Sequence, residues 1–557
     1  MDTLRLDILK IGKTIGPYLV LIITALVHSS CLNNGWVNWD DPVSVLNNSF
    51  IKQFNWTNIY SIFSKPSIGA NYTPFAHLSW MFDYAIGGLN PFTYHLHNLL
   101  LHLVNTFLVY RFIKTLTSEK RIPLLVMLLF GIHPMNVEVI SWITARKDLL
   151  SAFYYLLALN TYCLYLSHSK MKYLFITGFL FLGALFSKGV AVTFPITMLI
   201  LDFYYNRQWI NKVWLEKIPF FTLSIIFGCL AIFGQYKSNS INLSDTFNIM
   251  ERVSYGLLFY TSNLLFPVNL SAFHPVIITS IFQWLVYLAM TITIIFLGYK
   301  MIKYQKNKQL IFGGLFFIIT ILPVIQLIPI GKAIVSERYV YLPYLGLFFI
   351  LVTGFFEIQK KIREQSVFNF RILVTAGIII VITFSAKSYQ QHKTWENGES
   401  LWSNVIKQYP DHHYAYNNLG NFYREKGEYD NALHYLNRSL EINPLFYESL
   451  NDRGMTYNQL QQFEKAIIDF NAAIQISNYP KAYANRGIAY FNLQKYQEAL
   501  NDFNQAIAQR PNYGIYYYNR ARLYQVTNQK DLALADFRKA VQCSPENQKF
   551  QLALKSL

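Results

Sequence analysis

The chain has 557 residues, of which 53% are hydrophobic and 14% are charged. Soluble domains carry about a quarter charged residues, so this composition argues against a purely soluble protein. The formal net charge is +17. Residues 1–395 hold 31 Lys and Arg against 15 Asp and Glu, whereas the remainder holds 17 against 16. The basic excess lies in the apolar part, which indicates loops beside a membrane and argues against a nucleic-acid partner.

The beginning of the chain predicts a membrane helix that is not cleaved. Arg5, Lys10 and Lys13 precede an apolar run from Thr14 to about Val27, and no small-residue cleavage site follows it. The four cysteines are scattered and show neither a CxxC pair nor Cys/His ligand spacing, so we expect no zinc site and no disulfide framework.

Apolar stretches of about 17–25 residues predict spanning helices. Eleven stretches qualify: 14–32, 98–114, 121–138, 148–167, 172–187, 189–205, 217–235, 280–299, 310–330, 339–358 and 370–388. The stretch 253–270 is interrupted by Asn263, Pro267 and Asn269, and we interpret it as interfacial or re-entrant. The fold class expected from these patterns is a polytopic all-α bundle.

The distribution of basic residues predicts the orientation of this bundle. With a cytoplasmic N-terminus and eleven spans, the inside segments hold 20 Lys and Arg and the outside segments hold 11. This asymmetry agrees with the preference of basic loops for the cytoplasm. An odd number of spans places everything after residue 388 on the extracytoplasmic side.

The C-terminal part contains an internal repeat. Small residues recur as Gly420, Gly454, Gly487 and Ala521, at spacings of 34, 33 and 34 residues. Alanines, aromatic residues and prolines follow at matching offsets, which is typical of tetratricopeptide repeats. We therefore predict a transmembrane domain over 1–394, a linking helix over 395–412 and four repeats over 413–557. Such a solenoid offers a concave surface for a peptide or a partner domain, or serves a purely structural role.

The long first extracytoplasmic segment, 33–97, holds a pair of adjacent carboxylates, Asp40 and Asp41. Carboxylates beside a membrane suit a general base or a divalent-cation site. An acidic pair in a loop also occurs as a solvated turn or a helix cap.

A polar stripe follows on the second span. His95, Asn98, His102 and Asn105 have helical spacing, so they share one face. Polar groups in a membrane helix must face protein or a wet cavity, and the sequence leaves both alternatives open.

Further charges cluster at the predicted outer ends of the helices. Glu138, Arg146, Lys147, Lys188 and Arg338 all fall on that face. Arg and Lys would bind the phosphate of a lipid-linked substrate, and a carboxylate would take a proton. Simple mutual neutralisation of these charges is the alternative.

Several segments together resemble a known family. They are VNWDDPVSVLNN (37–48), NYTPFAHLSWMFDYAIGGLNPFTYHLHNLLLHLVNT (71–106), LLFGIHPMNVEVISWITARKDLLSAF (128–153), SKGVAVTFPITMLILDFYY (187–205) and SERYVYLPYLGLF (336–348). The chain resembles the multi-spanning GT-C transferases that carry C-terminal tetratricopeptide repeats. These include the eukaryotic TMTC-like O-mannosyltransferases and their bacterial relatives, and the resemblance is closer to the bacterial branch.

This resemblance implies a GT-C bundle in a bacterial inner membrane, with its site on the extracytoplasmic face. The donor would be a polyprenyl-phosphate-linked sugar such as mannose, and the repeats would recruit a protein or peptide acceptor. The family's acidic motif maps onto Asp40 and Asp41, one of which would deprotonate the acceptor hydroxyl. The remaining site assignments are contacts to substrate, membrane lipid or lipid phosphate: Glu138, Arg146, Lys147, Lys188, Arg338, His95 and His102. No cofactor is certain, and a divalent cation stays open.

Two other functions remain alternatives. One is a non-catalytic membrane scaffold whose repeats assemble envelope proteins. The other is a ligase or polymerase of lipid-linked glycans, which shares the donor and uses a sugar acceptor. A transporter is disfavoured because the predicted spans show no repeat-related pair of broken helices.

Overall fold

A computed structural model describes residues 2–64, 72–237, 249–275, 307–325, 333–365, 367–545 and 547–556, together with a few single positions between 285 and 327. Apart from one isolated bridge between His274 and Val335, these residues form helices and turns and no strands. The predicted all-α class is confirmed. The chain divides into two compact units, Met1–Leu401 and Trp402–Leu557.

The first unit is a bundle of helices. In chain order they are α1 (Asp2–His28), α2 (Trp56–Ser64), α3 (Pro74–Gly87), α4 (Pro91–Leu116), α5 (Ile122–Ile132), α6 (Val137–Ser141), α7 (Arg146–His168), α8 (Met171–Ser187), α9 (Phe194–Tyr204), α10 (Asn211–Lys237), α11 (Ile249–Leu265), α12 (Lys308–Ile321), α13 (Tyr344–Gln365), α14 (Val367–Gln391) and α15 (Gly398–Gln408). The predicted linking segment 395–412 contains α15, and the boundary between the units falls inside that helix.

Five helices of the described residues are long and apolar enough to cross a membrane, and six if one bent pair counts as a single span. Shorter apolar helices occupy the predicted spans 172–187, 189–205 and 310–330. The predicted span 280–299 lies outside the described residues. Helix α11 covers most of the ambiguous stretch 253–270 and ends at Leu265. The chain is thus a membrane protein, and the number of eleven spans stays a prediction.

The bent pair occupies the predicted span 121–138. Helices α5 and α6 meet at an angle of 55° near His133 and Pro134. His133 has extended backbone angles, φ −69° and ψ 131°, because the ring of a following proline disfavours the helical conformation. The bend turns Glu138 and Trp142 away from the direction of α5, toward the end of the bundle that carries the acidic loop.

The second unit consists of paired helices. They are α16 (His413–Glu425), α17 (Tyr429–Ile442), α18 (Tyr447–Gln459), α19 (Phe463–Ser477), α20 (Pro480–Asn492), α21 (Tyr496–Gln509), α22 (Gly514–Val526), α23 (Lys530–Cys543) and α24 (Gln548–Lys555). The recurring glycines lie where the two helices of a repeat touch. A Cβ atom on Gly454 would lie 2.7 Å from the ring of Phe470, and one on Gly487 would lie 2.8 Å from the ring of Phe503. Small residues are therefore required at these positions.

A repeated ion pair fastens the helices within each of the last three repeats. The guanidinium of Arg486 donates to both carboxylate oxygens of Asp502, at 2.8 and 2.6 Å. Arg453 with Asp469 and Arg520 with Asp536 form the same two-pronged pair. Each arginine also donates to an asparagine on the preceding repeat: Asn437, Asn471 or Asn504. The pair therefore links helices within a repeat and between neighbouring repeats.

We expect Asp502→Ala to loosen the third repeat, because it leaves Arg486 half-buried and without its carboxylate. Loss of a two-pronged, charge-assisted pair costs about 2 kcal/mol, which corresponds to a roughly 30-fold rise in opening. Hydrogen exchange of residues 480–509 in the full chain measures this rise. The matched control is Glu441→Ala, which removes the exposed pair between Arg438 and Glu441 and should change exchange less than about 3-fold. Equal effects of the two substitutions would contradict the assignment.

Candidate functional site

The two adjacent carboxylates of the first loop lie in different environments. The side chain of Asp40 is 48% exposed, whereas Asp41 is 1% exposed. One oxygen of Asp41 accepts the backbone N–H of Val37 at 3.2 Å and closes the turn. The loop thus presents Asp40 outward and holds itself together through Asp41.

Burial changes the acidity of the inner carboxyl group. It raises the pKa of Asp41 from 3.8 to about 7, while the N–H of Val37 acts in the opposite direction. The negative charge of neighbouring Asp40 raises this pKa further, and the hydroxyl and amide of Thr144 lower it. The Asp41 carboxyl group therefore keeps its proton to a higher pH than an exposed aspartate does.

Several residues around the acidic loop pack against the buried indole of Trp142. The ring of Trp39 stacks on it with centroids 4.7 Å apart. The guanidinium of Arg338 lies 5.0 Å from the same ring, and the ammonium of Lys147 lies 5.7 Å from it. The Lys147 ammonium is also 3.9 Å from a carboxylate oxygen of Asp40. Cation–π contacts of this kind contribute up to about 2 kcal/mol when desolvated.

Glu138 holds the turn that carries Arg338. Its carboxylate accepts the backbone N–H of Arg338 at 2.8 Å and the hydroxyl of Ser336 at 3.0 Å. The Arg338 guanidinium pairs with the same carboxylate. Glu138 is fully buried, so this pairing fixes Arg338 beside Trp142. The neighbouring residue Glu337 points elsewhere, because its carboxyl oxygen accepts the backbone N–H of Ser271 at 2.6 Å.

A small cavity adjoins these cations. The ammonium of Lys188 pairs with the carboxylate of Asp148 and lies 5.6 Å from the ring centre of Tyr339. These three residues and Arg338 line a cavity of about 40 Å³. The structure therefore brings Asp40, Lys147, Lys188, Glu138 and Arg338 into one neighbourhood at this end of the bundle.

Arg146 lies apart from that neighbourhood. Its guanidinium is 2.6 Å from a carboxylate oxygen of Asp83 and donates to the carbonyl of Tyr94 at 2.7 Å. It also donates to the side-chain oxygen of Asn98, and only 1% of Arg146 is exposed. These contacts tie α7 to α3 and α4. The structure thus places Arg146 in a buried cross-link between helices.

The polar stripe of α4 faces protein. His102 donates from Nε2 to the carbonyl of Gly131 at 3.0 Å and accepts the hydroxyl of Tyr341 at Nδ1, at 2.8 Å. Asn105 donates to the carbonyl of Leu149, and Asn98 donates to the carbonyls of Ile140 and Trp142. Of the two alternatives, helix–helix hydrogen bonding describes this stripe.

His95 contacts the acidic loop. Its Nε2 atom lies 3.3 Å from the carbonyl of Gly35, five residues before Asp40. Both His95 and His102 are fully buried and lie outside the lining of the cavity. Their contact with substrate stays a prediction, and their visible role is to position the loop and Tyr341.

The described residues contain no group of three His, Cys, Asp or Glu side chains placed to hold a metal ion. The divalent cation that the sequence left open therefore has no identified ligands in this part of the chain.

Sequence reasoning did not include the aromatic residues of the site. Trp39 and Trp142 lie within the quoted segments 37–48 and 128–153, next to the charges that were singled out. A tryptophan directly before an acidic pair is a usable signal, because indole rings bind cations and sugar faces. Asp148 was not among the predicted site residues, although it pairs with Lys188 at the cavity.

Comparisons with known proteins show which proteins the chain resembles. The chain is similar in sequence to several protein O-mannosyl-transferases. It is 23% identical over 492 residues to protein O-mannosyl-transferase TMTC1 of Homo sapiens, which covers 77% of this chain and 55% of that protein. It is 22% identical over 506 residues to Tmtc3 of Drosophila melanogaster, covering 76% and 54%. The chain thus spans about half the length of these curated relatives.

The repeats also match known proteins. Two tetratricopeptide-repeat family models match the chain, one at residues 413–446 and 480–513 and the other at 447–479 and 515–547. The four predicted repeats are confirmed. Among solved structures, a thermophilic tetratricopeptide-repeat protein of Thermus thermophilus is 20% identical, with a TM-score of 0.27, and the match covers 32% of this chain and 93% of that one.

We expect Asp41 to make the stability of the protein depend on pH. The folded state holds the Asp41 proton up to a pH of about 7, and the unfolded chain releases it near 3.8. The folded state therefore binds more protons between these values, and its free energy of unfolding falls as the pH rises through them. The fall amounts to at most about 4 kcal/mol.

The asparagine side chain of the Asp41→Asn variant is neutral at every pH. The variant should therefore lose this pH-dependent part of the free energy of unfolding. Thermal unfolding of the full chain in detergent is measured at several values between pH 4 and 8. The melting temperature of Asp41→Asn relative to wild type should increase with pH. Parallel pH profiles of the two proteins would show that the Asp41 pKa is not raised.

Proposed function

We propose that this protein is an integral-membrane glycosyltransferase. It moves a sugar, mannose by analogy with the relatives' names, from a polyprenyl-phosphate-linked donor to a hydroxyl group of an extracytoplasmic protein. The observation that carries this proposal is one half-exposed carboxylate, Asp40, beside a cluster of cations, Lys147, Lys188 and Arg338. The homology to protein O-mannosyl-transferases supports it.

In the proposed reaction the carboxylate acts on the acceptor hydroxyl, and the cations act on the donor phosphate. Asp40 takes the proton of the acceptor hydroxyl, whose oxygen then forms a bond to the anomeric carbon of the sugar. The bond between that carbon and the phosphate oxygen breaks, and the lipid phosphate leaves with an additional negative charge. Lys188 and Arg338, which line the cavity, hold this phosphate.

Exposure favours Asp40 over Asp41 as the base. A general base must reach the proton it abstracts, and of the two only Asp40 has an exposed side chain. Burial raises the pKa of Asp41 to about 7, and one of its oxygens accepts the N–H of Val37. In this proposal Asp41 is a positioning residue for the turn.

The proposed orientation puts this chemistry outside the cytoplasm. A cytoplasmic N-terminus and the basic loops of the first unit place the acidic loop and the repeats on the extracytoplasmic face, in the inner membrane of a bacterium. Tetratricopeptide solenoids bind peptides and partner domains on their concave face. The repeats of the second unit would therefore recruit the acceptor protein.

We expect Asp40→Asn to lower kcat about 10²- to 10⁴-fold, because a general base contributes a factor of that size. Donor binding should change little, since the cations remain. The full chain is reconstituted in liposomes with polyprenyl-phosphate mannose and an acceptor peptide, and transfer of labelled mannose is followed.

Asp411→Asn serves as the matched control, because Asp411 is an exposed carboxylate of the second unit. It should transfer mannose at the wild-type rate. Wild-type transfer by Asp40→Asn would refute the role of Asp40. No transfer by the wild-type protein from this donor would refute the proposed function and favour the scaffold alternative.

A further inference from the structure

One face of α7 forms a polar wall of the cavity beside the cations. Asp148, Ser151 and Tyr155 follow the spacing i, i+3 and i+7, so all three line it. The hydroxyl-bearing residues Thr193 and Tyr341 lie on other walls. Apolar side chains make up much of the remaining lining, so the carboxylate and the hydroxyl groups offer hydrogen bonds to one polar edge of an occupant.

Only one of the two carboxylate oxygens of Asp148 has a partner among the described residues. Its Oδ1 atom pairs with the ammonium of Lys188. Its Oδ2 atom is buried and has no hydrogen-bond partner among the described residues, and Asp148 as a whole is 8% exposed. A buried carboxylate oxygen without a donor is costly, so an unpaired one at a cavity wall indicates a missing hydrogen-bond donor.

The size of the cavity and the charges that line it limit what the missing hydrogen-bond donor can be. The cavity measures about 40 Å³, well below the roughly 150 Å³ in which a six-membered ring such as benzene binds, so it is too small for a whole hexose. A hydroxyl-bearing edge of a larger molecule fits it. Lys188 and Arg338 line the same cavity, so the rest of that molecule would place an anionic group beside them.

We propose that this cavity is a subsite for one hydroxyl group of the donor sugar. The hydroxyl donates to Oδ2 of Asp148, while the phosphate attached to the sugar lies against Lys188 and Arg338. The inference rests on the proposed glycosyltransferase function and goes further, because it assigns the recognition of the sugar to Asp148. Asp148 would then decide which sugar the enzyme accepts.

A purely electrostatic role makes a different prediction. If Asp148 only neutralises Lys188, its removal changes the binding of every donor phosphate by the same factor. If its free oxygen binds a sugar hydroxyl, its removal matters only for donors that possess that hydroxyl. The discrimination between sugars therefore separates the two roles, whereas the absolute rate does not.

The test uses the full chain in liposomes with polyprenyl-phosphate mannose and its 2-, 3-, 4- and 6-deoxy analogues. For wild type, we expect one analogue to lower kcat/KM by about 10- to 100-fold, because a charged acceptor loses its donor. In Asp148→Ala the same analogue and mannose should differ by less than about 3-fold. Asp411→Ala, at an exposed position of the second unit, should keep the wild-type discrimination.

The remaining outcomes each overturn the inference. Equal losses for all donors in Asp148→Ala would leave Asp148 as a counter-ion only. Wild-type indifference to every deoxy analogue would exclude the subsite even if Asp148→Ala failed to fold. If the wild-type protein transfers sugar from neither polyprenyl-phosphate mannose nor any of its analogues, both the subsite and the proposed function are wrong. The first two outcomes, in contrast, overturn the subsite alone.

Discussion

The cost of burying charge organises the first unit. An ionised group inside a membrane bundle loses several kcal/mol of hydration unless an opposite charge compensates it. Among the pairs of the described residues that meet this demand are Asp83 with Arg146, Asp148 with Lys188, and Glu138 with Arg338. Each pair joins segments that are distant in sequence, so the helices that carry the site are held in place by the same interactions that make their charges tolerable.

Two groups at the proposed site escape this compensation, and so do other buried oxygens of the described residues, among them one of Asp41 and one of Glu337. Asp40 is half exposed and only 3.9 Å from Lys147, an ion pair that water weakens. The Oδ2 atom of Asp148 is buried without a hydrogen-bond partner in the described part of the chain. Incomplete satisfaction is costly for a fold, and it is useful where a substrate supplies the missing partner.

The sequence predicts the repeats and the helices well, because spacing and apolar length are local properties. It could not assign the partners of the charges. Arg146 and Lys147 are adjacent, and were grouped together, yet successive residues on a helix point about 100° apart. Arg146 therefore meets Asp83, 63 residues earlier, while Lys147 meets Asp40. The division between exposed Asp40 and buried Asp41 has the same origin, since it depends on which side of the turn packs against Thr144.

The balance of charges connects these contacts to the proposed reaction. Three cations, Lys147, Lys188 and Arg338, face three carboxylates, Asp40, Asp148 and Glu138. A donor phosphodiester carries one negative charge, and its leaving group gains a second as the bond to the sugar breaks. Proton transfer to Asp40 removes one carboxylate charge and frees Lys147 at that same step. In the proposed reaction the positive excess would appear as the phosphate gains its second charge, and the cluster would then bind the transition state more strongly than the donor.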